Sequence, residues 1–538
     1  MASATPTTEA RPLRAPLRGL PLAEQTLPAL LERQATVYGA RRFVATTSGV
    51  ERSFVEVRDA AASWAGLLSA VGIGRGDRVA VIAGNRIELV ELLLGCAWMG
   101  AVAVPINTAL RGAQVHHVLG SSGAKALIIE TEHLDALARV PPPASLERVW
   151  LLDRERTHRA HGYVCEPLPA AGDKAPAAEV GPGDTAAILY EAGRTGVTKG
   201  VCCPHAQLYW SGVLGSEFLS VGNDDVCFTA LPLFHATTIS SFCQALVAGA
   251  SWVFAPRFTA TRYWRLAAEH HATRTYLLPA MVAELLSAPA SRDDRSHEIA
   301  VALAPATAAP LHDRFHARFG VRLREGYAST ETNQVTGRAG DPVRPGLLGR
   351  AVDEFEIAVF DENDCPVGPG VPGELVVRPR LPFSMASGYH GMPAATVAAW
   401  RNLWFHTDER VVCDAEGWYR FAGRTSDAIR RGGENVSSSE VEQALCEHPA
   451  VAAVAVYPVE NEVMAAIVLE PGSDTNPLEL VRFCEPRIAG FAIPRFIDFV
   501  PALPLADDGS VRKTVLRERG VSRATWDRHR AGQRFARR

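Results

Sequence analysis

The chain has 538 residues, 47% of them hydrophobic and 21% charged, with a net charge of -4 at pH 7. This composition is that of a globular protein with material for more than one core, and it excludes a disordered or fibrous chain. The slightly acidic balance argues against a nucleic-acid partner, and no uninterrupted apolar run approaches the roughly 18 residues of a membrane span.

The N-terminal stretch holds Arg11, Arg14 and Arg18 but no apolar segment of the kind that follows the basic start of a secretory signal. Ten cysteines occur without a CxxC pair, and Cys202 and Cys203 are adjacent. They read as reduced thiols, and a cytoplasmic location is expected. Lys125, Lys174, Lys199 and Lys513 are the only lysines, so each lysine position is informative.

In chain order, the pattern predicts a strand over Arg78–Ala83, a helix over Glu88–Met99 and a strand over Ala101–Ile106. Further strands are predicted at Lys125–Ile129, Ala186–Tyr190, Ser251–Ala255, Thr275–Leu278 and Ile299–Ala304. Many are too apolar for a wet face, which predicts covered, mostly parallel sheets in a large α/β body. Pro167 to Asp184, rich in Ala, Pro and Gly, reads as a surface loop. From Gly346 to Tyr419, short strands such as Phe355–Phe360 and Glu374–Val377 are punctuated by Gly, Pro and Asp, which suits antiparallel structure. A compact tail follows, with helices over Ser438–Glu447 and Leu478–Ile488 and strands over Val451–Tyr457 and Val463–Leu469. The expected fold is therefore α/β: an N-terminal body of covered mixed sheets with a β-rich subdomain (residues 1–425), and a small mobile α+β C-terminal domain (residues 426–538).

The strongest local signal is AAILYEAGRTGVTKGVCCPH, Ala186 to His205. A strand runs into a loop with Gly193, Gly196 and Gly200, where backbone N–H groups can converge on an anion and Lys199 adds a charge. It is not a Walker loop, because no Gly precedes the lysine and no Ser or Thr follows it.

With its neighbours in order, this segment resembles the adenylate-forming superfamily of acyl- and aryl-CoA ligases, luciferases and nonribosomal adenylation domains. The resemblance runs through GAVAVPIN (Gly100–Asn107), LPLFHATT (Leu231–Thr238), EGYASTETN (Glu325–Asn333) and PVGPGVPGELVVR (Pro366–Arg378), and on through Trp404 to Glu442. Its flavour is that of a crotonobetaine/carnitine-CoA ligase. The resemblance implies two half-reactions: acid and ATP give acyl-AMP, then the acyl group passes to a thiol such as coenzyme A as the small domain rotates. It also implies site roles. Gly326, Tyr327, Ala328, Thr330 and Ala304 would contact the adenylate, Tyr327 by stacking on adenine and Thr330 by donating to the α-phosphate. Glu409 and Arg424 would hold the ribose, Glu331 a Mg2+ ion if one is bound. His235 would gate the acyl site, and Arg431, Gly432, Gly433 and Glu434 would line the coenzyme A approach. The acyl pocket is expected near His235–Ser240 and Ala302–Ala306, with Trp210 and Phe218.

The departures from the family pattern carry the functional expectation. The phosphate loop usually resembles T-S-G-T-T-G-x-P-K-G; here Glu191, Ala192, Gly193, Arg194, Thr195 and Gly196 lead to Lys199, so a carboxylate enters where a triphosphate would be cradled. Like charges about 4 Å apart repel by roughly 1 kcal/mol in water and about 4 at an effective dielectric of 20. The last block, PLADDGSVRKTVLR, places Ser510 where the family has its catalytic lysine, with Lys513 three residues on. The family's T-G-D becomes Thr407, Asp408 and Glu409. Adenylation needs the phosphate cradle and the cation; transfer from a ready-made acyl-AMP needs neither. The expectation is a non-adenylating ligase that takes acyl-AMP from a separate adenylating enzyme and transfers the acyl group to coenzyme A. Such a split resembles the ligases of platensimycin-type antibiotic biosynthesis, where a bulky terpenoid acid is implied. The alternatives are a complete ATP-dependent acid–CoA ligase working through Lys513 and Lys199, a ligase with a non-CoA acceptor, and a binding protein without turnover.

Overall fold

The computed structural model describes residues 17–170, 172–191, 198–307, 309–424, 429–432, 434–504 and 511–532. Two large sheets dominate. In the first, Arg322–Arg324, Val301–Leu303, Arg274–Tyr276, Val226–Thr229, Ser251–Phe254 and Arg42–Thr46 run parallel, and Glu51–Ser53 closes one edge antiparallel. In the second, six strands from Thr185–Glu191 to Tyr163–Pro167 run parallel in the order Thr185–Glu191, Val102–Pro105, Arg78–Ile82, Ala126–Ile129, Arg148–Leu151, Tyr163–Pro167. Its edges, Lys199–Pro204 and His158–Ala160, are antiparallel. Strands such as Val102–Pro105 and Ala126–Ile129 are buried at every position, as their unbroken apolar runs require when both faces are covered.

The change of pattern after Gly346 corresponds to a four-stranded antiparallel sheet of Phe355–Phe360, Gly373–Pro379, Phe405–Cys413 and Tyr419–Arg424. The tail is α+β: the hairpin Ile429–Arg431/Glu434–Val436, the helices Ser438–Cys446 and Pro477–Cys484, and a sheet of Val451–Val459, Glu462–Leu469, Phe496–Phe499 and Trp526–Asp527. The expected division at 425/426 lies outside the described residues. All ten cysteines are free thiols. No helix among the described residues is long and apolar enough to cross a membrane.

Two expectations change. The helix expected to reach Ile488 ends at Cys484, because Pro486 two residues on has no backbone N–H to continue the hydrogen-bond ladder. The segment after the phosphate loop is a strand, Lys199–Pro204, folded back on Thr185–Glu191 with Lys199 opposite Glu191. Gly200 fits there because a Cβ would lie 2.8 Å from the Ile188 methyl and from the Tyr190 ring.

The tail does not stand apart from the body. A continuous apolar cluster joins Val115 and Leu119 of the body helix Ala113–Ser122 to Ile429, Val441 and Leu445 of the tail.

Candidate active site

Two groups of side chains form the site. The first is built on Glu191, at the end of its strand. The Thr330 hydroxyl donates to Glu191 Oε1, so the carboxylate points into the site and not away from it. Thr330 is held in turn: Gln207 Nε2 donates to its carbonyl at 2.7 Å, and only 5% of the residue is exposed. Next in sequence, Glu331 is buried; Oε1 accepts from the Tyr389 hydroxyl at 2.9 Å, and Oε2 is buried with no hydrogen-bond partner among the described residues. Lys199 Nζ lies 4.7 Å from the centre of the Tyr389 ring, a cation–π contact. Cys203 sits behind the two carboxylates: burial pushes its thiol well above the usual range, and Glu191 and Glu331 push it further.

Gly326, Tyr327, Ala328, Ala304, Glu409 and Arg424 are the residues expected to contact a nucleotide. Gly326 is required where it is, because a Cβ would lie 2.6 Å from the Thr336 carbonyl oxygen. Tyr327 N donates to Thr336 Oγ1 at 2.8 Å, Ala328 is exposed on a two-residue strand, and Ala304 is fully buried. Glu409 is buried and paired in register with Arg424, and Asp408 before it has a φ of +56°, a left-handed turn that a short polar side chain tolerates. The side chain of Arg424 lies outside the described ones. So do Gly193, Arg194, Thr195 and Gly196 of the loop, Gly433, and Ser510.

The second group lies where body and tail meet. His235 caps the helix Ala236–Ala248: its Nδ1 accepts from Thr237 N at 3.2 Å. That bond fixes the neutral tautomer with hydrogen on Nε2, so the ring presents a donor. Burial, helped by the nearby Arg430 charge, lowers its pKa to about 4. Burial also raises the Glu434 carboxyl, with Arg430 working against that shift. Gly432 has a φ of +62° and turns the hairpin between Arg431 and Glu434.

Arg431 is held within the tail. Its NH1 donates to the Phe491 carbonyl at 2.8 Å and its Nε lies 2.5 Å from Glu462 Oε2, so the guanidinium is tied into the tail's own core. Neighbouring strand positions alternate in direction, and Arg430, not Arg431, bears on His235 and Glu434. Lys513 is likewise engaged within the tail, 2.8 Å from Glu442 Oε1 and donating to Ser438 Oγ at 3.2 Å. The pocket expectation changes too. Trp210 donates its ring N–H to Gln25 at 3.0 Å, and Phe218 packs under Arg324, 4.3 Å from its guanidinium. A small apolar cavity of about 50 Å³ includes Thr238 and Ile239 of the expected pocket, but it continues to Leu93, Phe242 and Trp252. Tyr389 and Arg430 were not anticipated from sequence. Tyr389 meets Glu331 and Lys199 only through long-range pairing of Val201 with Tyr389, which no local pattern announces.

Residues 31–390 match the family described as AMP-binding enzyme, and residues 440–509 match the AMP-binding enzyme C-terminal domain. A crotonobetaine/carnitine–CoA ligase from Escherichia coli O139:H28 is 29% identical over 515 residues, 90% of this chain and 98% of the relative. A double mutant of o-succinylbenzoate CoA synthetase from Bacillus subtilis, bound with its product analogue, superimposes with a TM-score of 0.78 at 23% identity, over 91% of this chain and 98% of that one. ATP-bound MatB from Rhodopseudomonas palustris superimposes with a TM-score of 0.66 at 25% identity, over 92% and 99%.

Proposed function

The chain belongs to the AMP-binding enzyme family, and on that premise we propose that it is an acyl-CoA ligase specialised for the second half-reaction, moving an acyl group from a preformed acyl-AMP to coenzyme A. The observation that carries this reading is the hydrogen bond from Thr330 to Glu191. The hydroxyl expected to meet a phosphate meets a carboxylate of this chain. Each added phosphate charge near Glu191 meets a repulsion of the order given above. A monophosphate ester such as acyl-AMP brings about one negative charge there, which Lys199 on the facing strand offsets; ATP brings several. The CoA ligase among the relatives supports the acceptor, and a separate adenylating enzyme would supply the acyl-AMP.

In the proposed reaction, Tyr327 and Glu409 hold the nucleoside and Thr330 turns from Glu191 to the α-phosphate. The coenzyme A thiolate attacks the acyl carbonyl carbon; the C–S bond forms, the bond from carbon to the AMP oxygen breaks, and AMP leaves with the electron pair. AMP is a weak base, so its departure needs no general acid, and the thiol proton passes to solvent. His235, held neutral with its donor on Nε2, orients without accepting that proton. Glu331 fits a divalent cation, because one buried carboxylate oxygen has no hydrogen-bond partner among the described residues. Such an ion would supply charge neutralisation to phosphate oxygens.

That same open oxygen favours a second reading, the complete ATP-dependent ligase. The two are separated by giving the protein a panel of carboxylic acids with ATP and coenzyme A, and in parallel the matching synthetic acyl-AMPs with coenzyme A. Thioester from the acyl-AMP arm alone is the expected result. Equal rates in both arms, with brisk pyrophosphate exchange, would overturn the proposal in favour of the second reading.

A further inference from the structure

Across the boundary between body and tail, one carboxylate makes an unusual set of contacts. Glu440 stands in the first turn of the tail helix Ser438–Cys446, and its backbone N–H is capped by Ser437 at 3.3 Å. This is the Ser-x-x-Glu pattern of a helix start. Its carboxylate, however, crosses to the body. Oε1 accepts from Thr198 N at 2.9 Å and also from the Thr198 hydroxyl; Oε2 accepts from Gln114 Nε2 at 2.8 Å. Gln114 completes the bridge, because its Oε1 accepts from the tail's Ala489 N at 3.0 Å. The same body helix holds Thr198 from the other side, His117 Nε2 donating to the Thr198 carbonyl at 2.8 Å. Thr198 and Gln114 are 6% and 7% exposed, so these bonds are sheltered from water. The surfaces also approach closely: a Cβ on Gly112 would lie 3.1 Å from the Arg487 carbonyl oxygen.

The superpositions set these contacts in context. At nearly equal coverage, the chain fits one relative with a TM-score of 0.78 and another with 0.66. A shared fold that fits two relatives so differently is expected when rigid units are arranged differently in the two. We propose that Gln114 and Glu440 are positioning residues for acyl transfer: with Thr198 they latch the tail onto the body, so that the tail is held in one orientation against the body before any ligand binds. The latch rests on the function proposed above only for its kinetic consequence. It ties the tail to the residue that ends the phosphate loop, so the loop and the tail's orientation share one anchor.

Glu440→Gln sets an amide N–H against the N–H of Gln114 and removes the charge that strengthens the Thr198 bonds. Exchanging both partners, Gln114→Glu with Glu440→Gln, restores a donor facing an acceptor at every bond. Two measurements decide. Fluorophores on the exposed thiols Cys365 in the body and Cys446 in the tail report the distance between the two parts without substrate. Thioester formation is followed with whichever member of the synthetic acyl-AMP panel the unaltered protein turns over fastest. The expected result is a single distance in the unaltered protein, a broadened or shifted distribution in Glu440→Gln, and recovery in the exchanged pair. Kinetically, Glu440→Gln should lower kcat about tenfold, with KM for acyl-AMP within about twofold, and the exchange should recover most of it. An unchanged distance in Glu440→Gln, a kcat within about twofold, a parallel rise in KM, or no recovery on exchange would each overturn the latch. Should the unaltered protein form no thioester from any acyl-AMP, the functional reading fails while the distance measurement still decides the latch.

Discussion

The two halves of the site differ in what their polar groups face. Around Glu191, groups suited to a nucleotide's phosphates are turned on one another: Thr330 on Glu191, Tyr389 on Glu331, Lys199 over the Tyr389 ring. Around His235, the reverse holds. The tail brings the Arg430 charge to bear on the ring, and Glu440, Gln114 and Thr198 bond across the boundary between body and tail. A carboxylate placed among phosphate-binding groups discriminates by charge, most strongly against the ligand with the most phosphates. A tail fastened to the body discriminates by geometry, in favour of the step that needs both surfaces together. On the proposed reading, a two-step site weakens at one end without loosening at the other, because the two ends are stabilised by different contacts.

The largest effect should come from asking each end to work alone. Removing one well-placed stabiliser of developing charge typically lowers a rate by about 10² to 10³. Thioester formation from acid and ATP should therefore be at least about 100-fold slower than from acyl-AMP. The double substitution Glu191→Thr with Ser510→Lys should narrow that gap, read by pyrophosphate exchange. A gap that stays unchanged in the double variant would break the comparison at its first side.

Next in size is Tyr389→Phe. It leaves Glu331 Oε1 buried without its donor, a loss of about 1–3 kcal/mol, measurable as a lower denaturant midpoint at constant m. Because Lys199 rests on the ring and not on the hydroxyl, the cation–π contact should survive, and the loss should be one of stability more than of orientation.

Much of this was legible in the sequence, for identifiable reasons. The strands that became Arg78–Ile82, Ala126–Ile129 and Ser251–Phe254 are apolar at nearly every position, and only a sheet covered on both faces uses that pattern. Glu191 stood out because it interrupts a glycine-rich loop with the wrong charge. The helix His205–Leu219 was not legible: it is buried on almost all sides, so no polar face gives a 3.6-residue period. Arg430 was overlooked because a motif names positions in order but not which way alternate residues of a two-stranded hairpin point. Tyr389 and Gln114 act through partners scores to hundreds of residues away in the chain, as Tyr389 with Glu331 and Gln114 with Glu440 show.

A smaller effect concerns the metal. If phosphates beyond the first are excluded, an ion that neutralises them has little left to do in the transfer step. Chelating Mg2+ should then change the acyl-AMP route by no more than about twofold, while any residual ATP-dependent rate disappears. A collapse of both routes would place the ion at the α-phosphate and bring the two halves of the site closer together than drawn above.

The smallest expected change is the one at His235. Its folded pKa of about 4 lies below the ordinary value near 6.5, so the unfolded chain binds the proton more readily. The ring's contribution to stability is complete above about pH 6.5 and falls away as the pH drops through that value toward 4. Between pH 6.5 and 8 the ring stays neutral in the folded protein, and the kcat for thioester formation should show no inflection from it. His235→Asn keeps an oxygen acceptor for Thr237 N and so preserves the helix cap, whereas His235→Ala loses it at a cost of about 1 kcal/mol. The pH profile of the Asn variant should therefore match that of the unaltered protein in shape while differing in height. An inflection near pH 6 that vanishes in the Asn variant would mean that the ring does take up a proton, as a base for the incoming thiol, and that the transfer end is more exposed to water than its contacts with the tail imply.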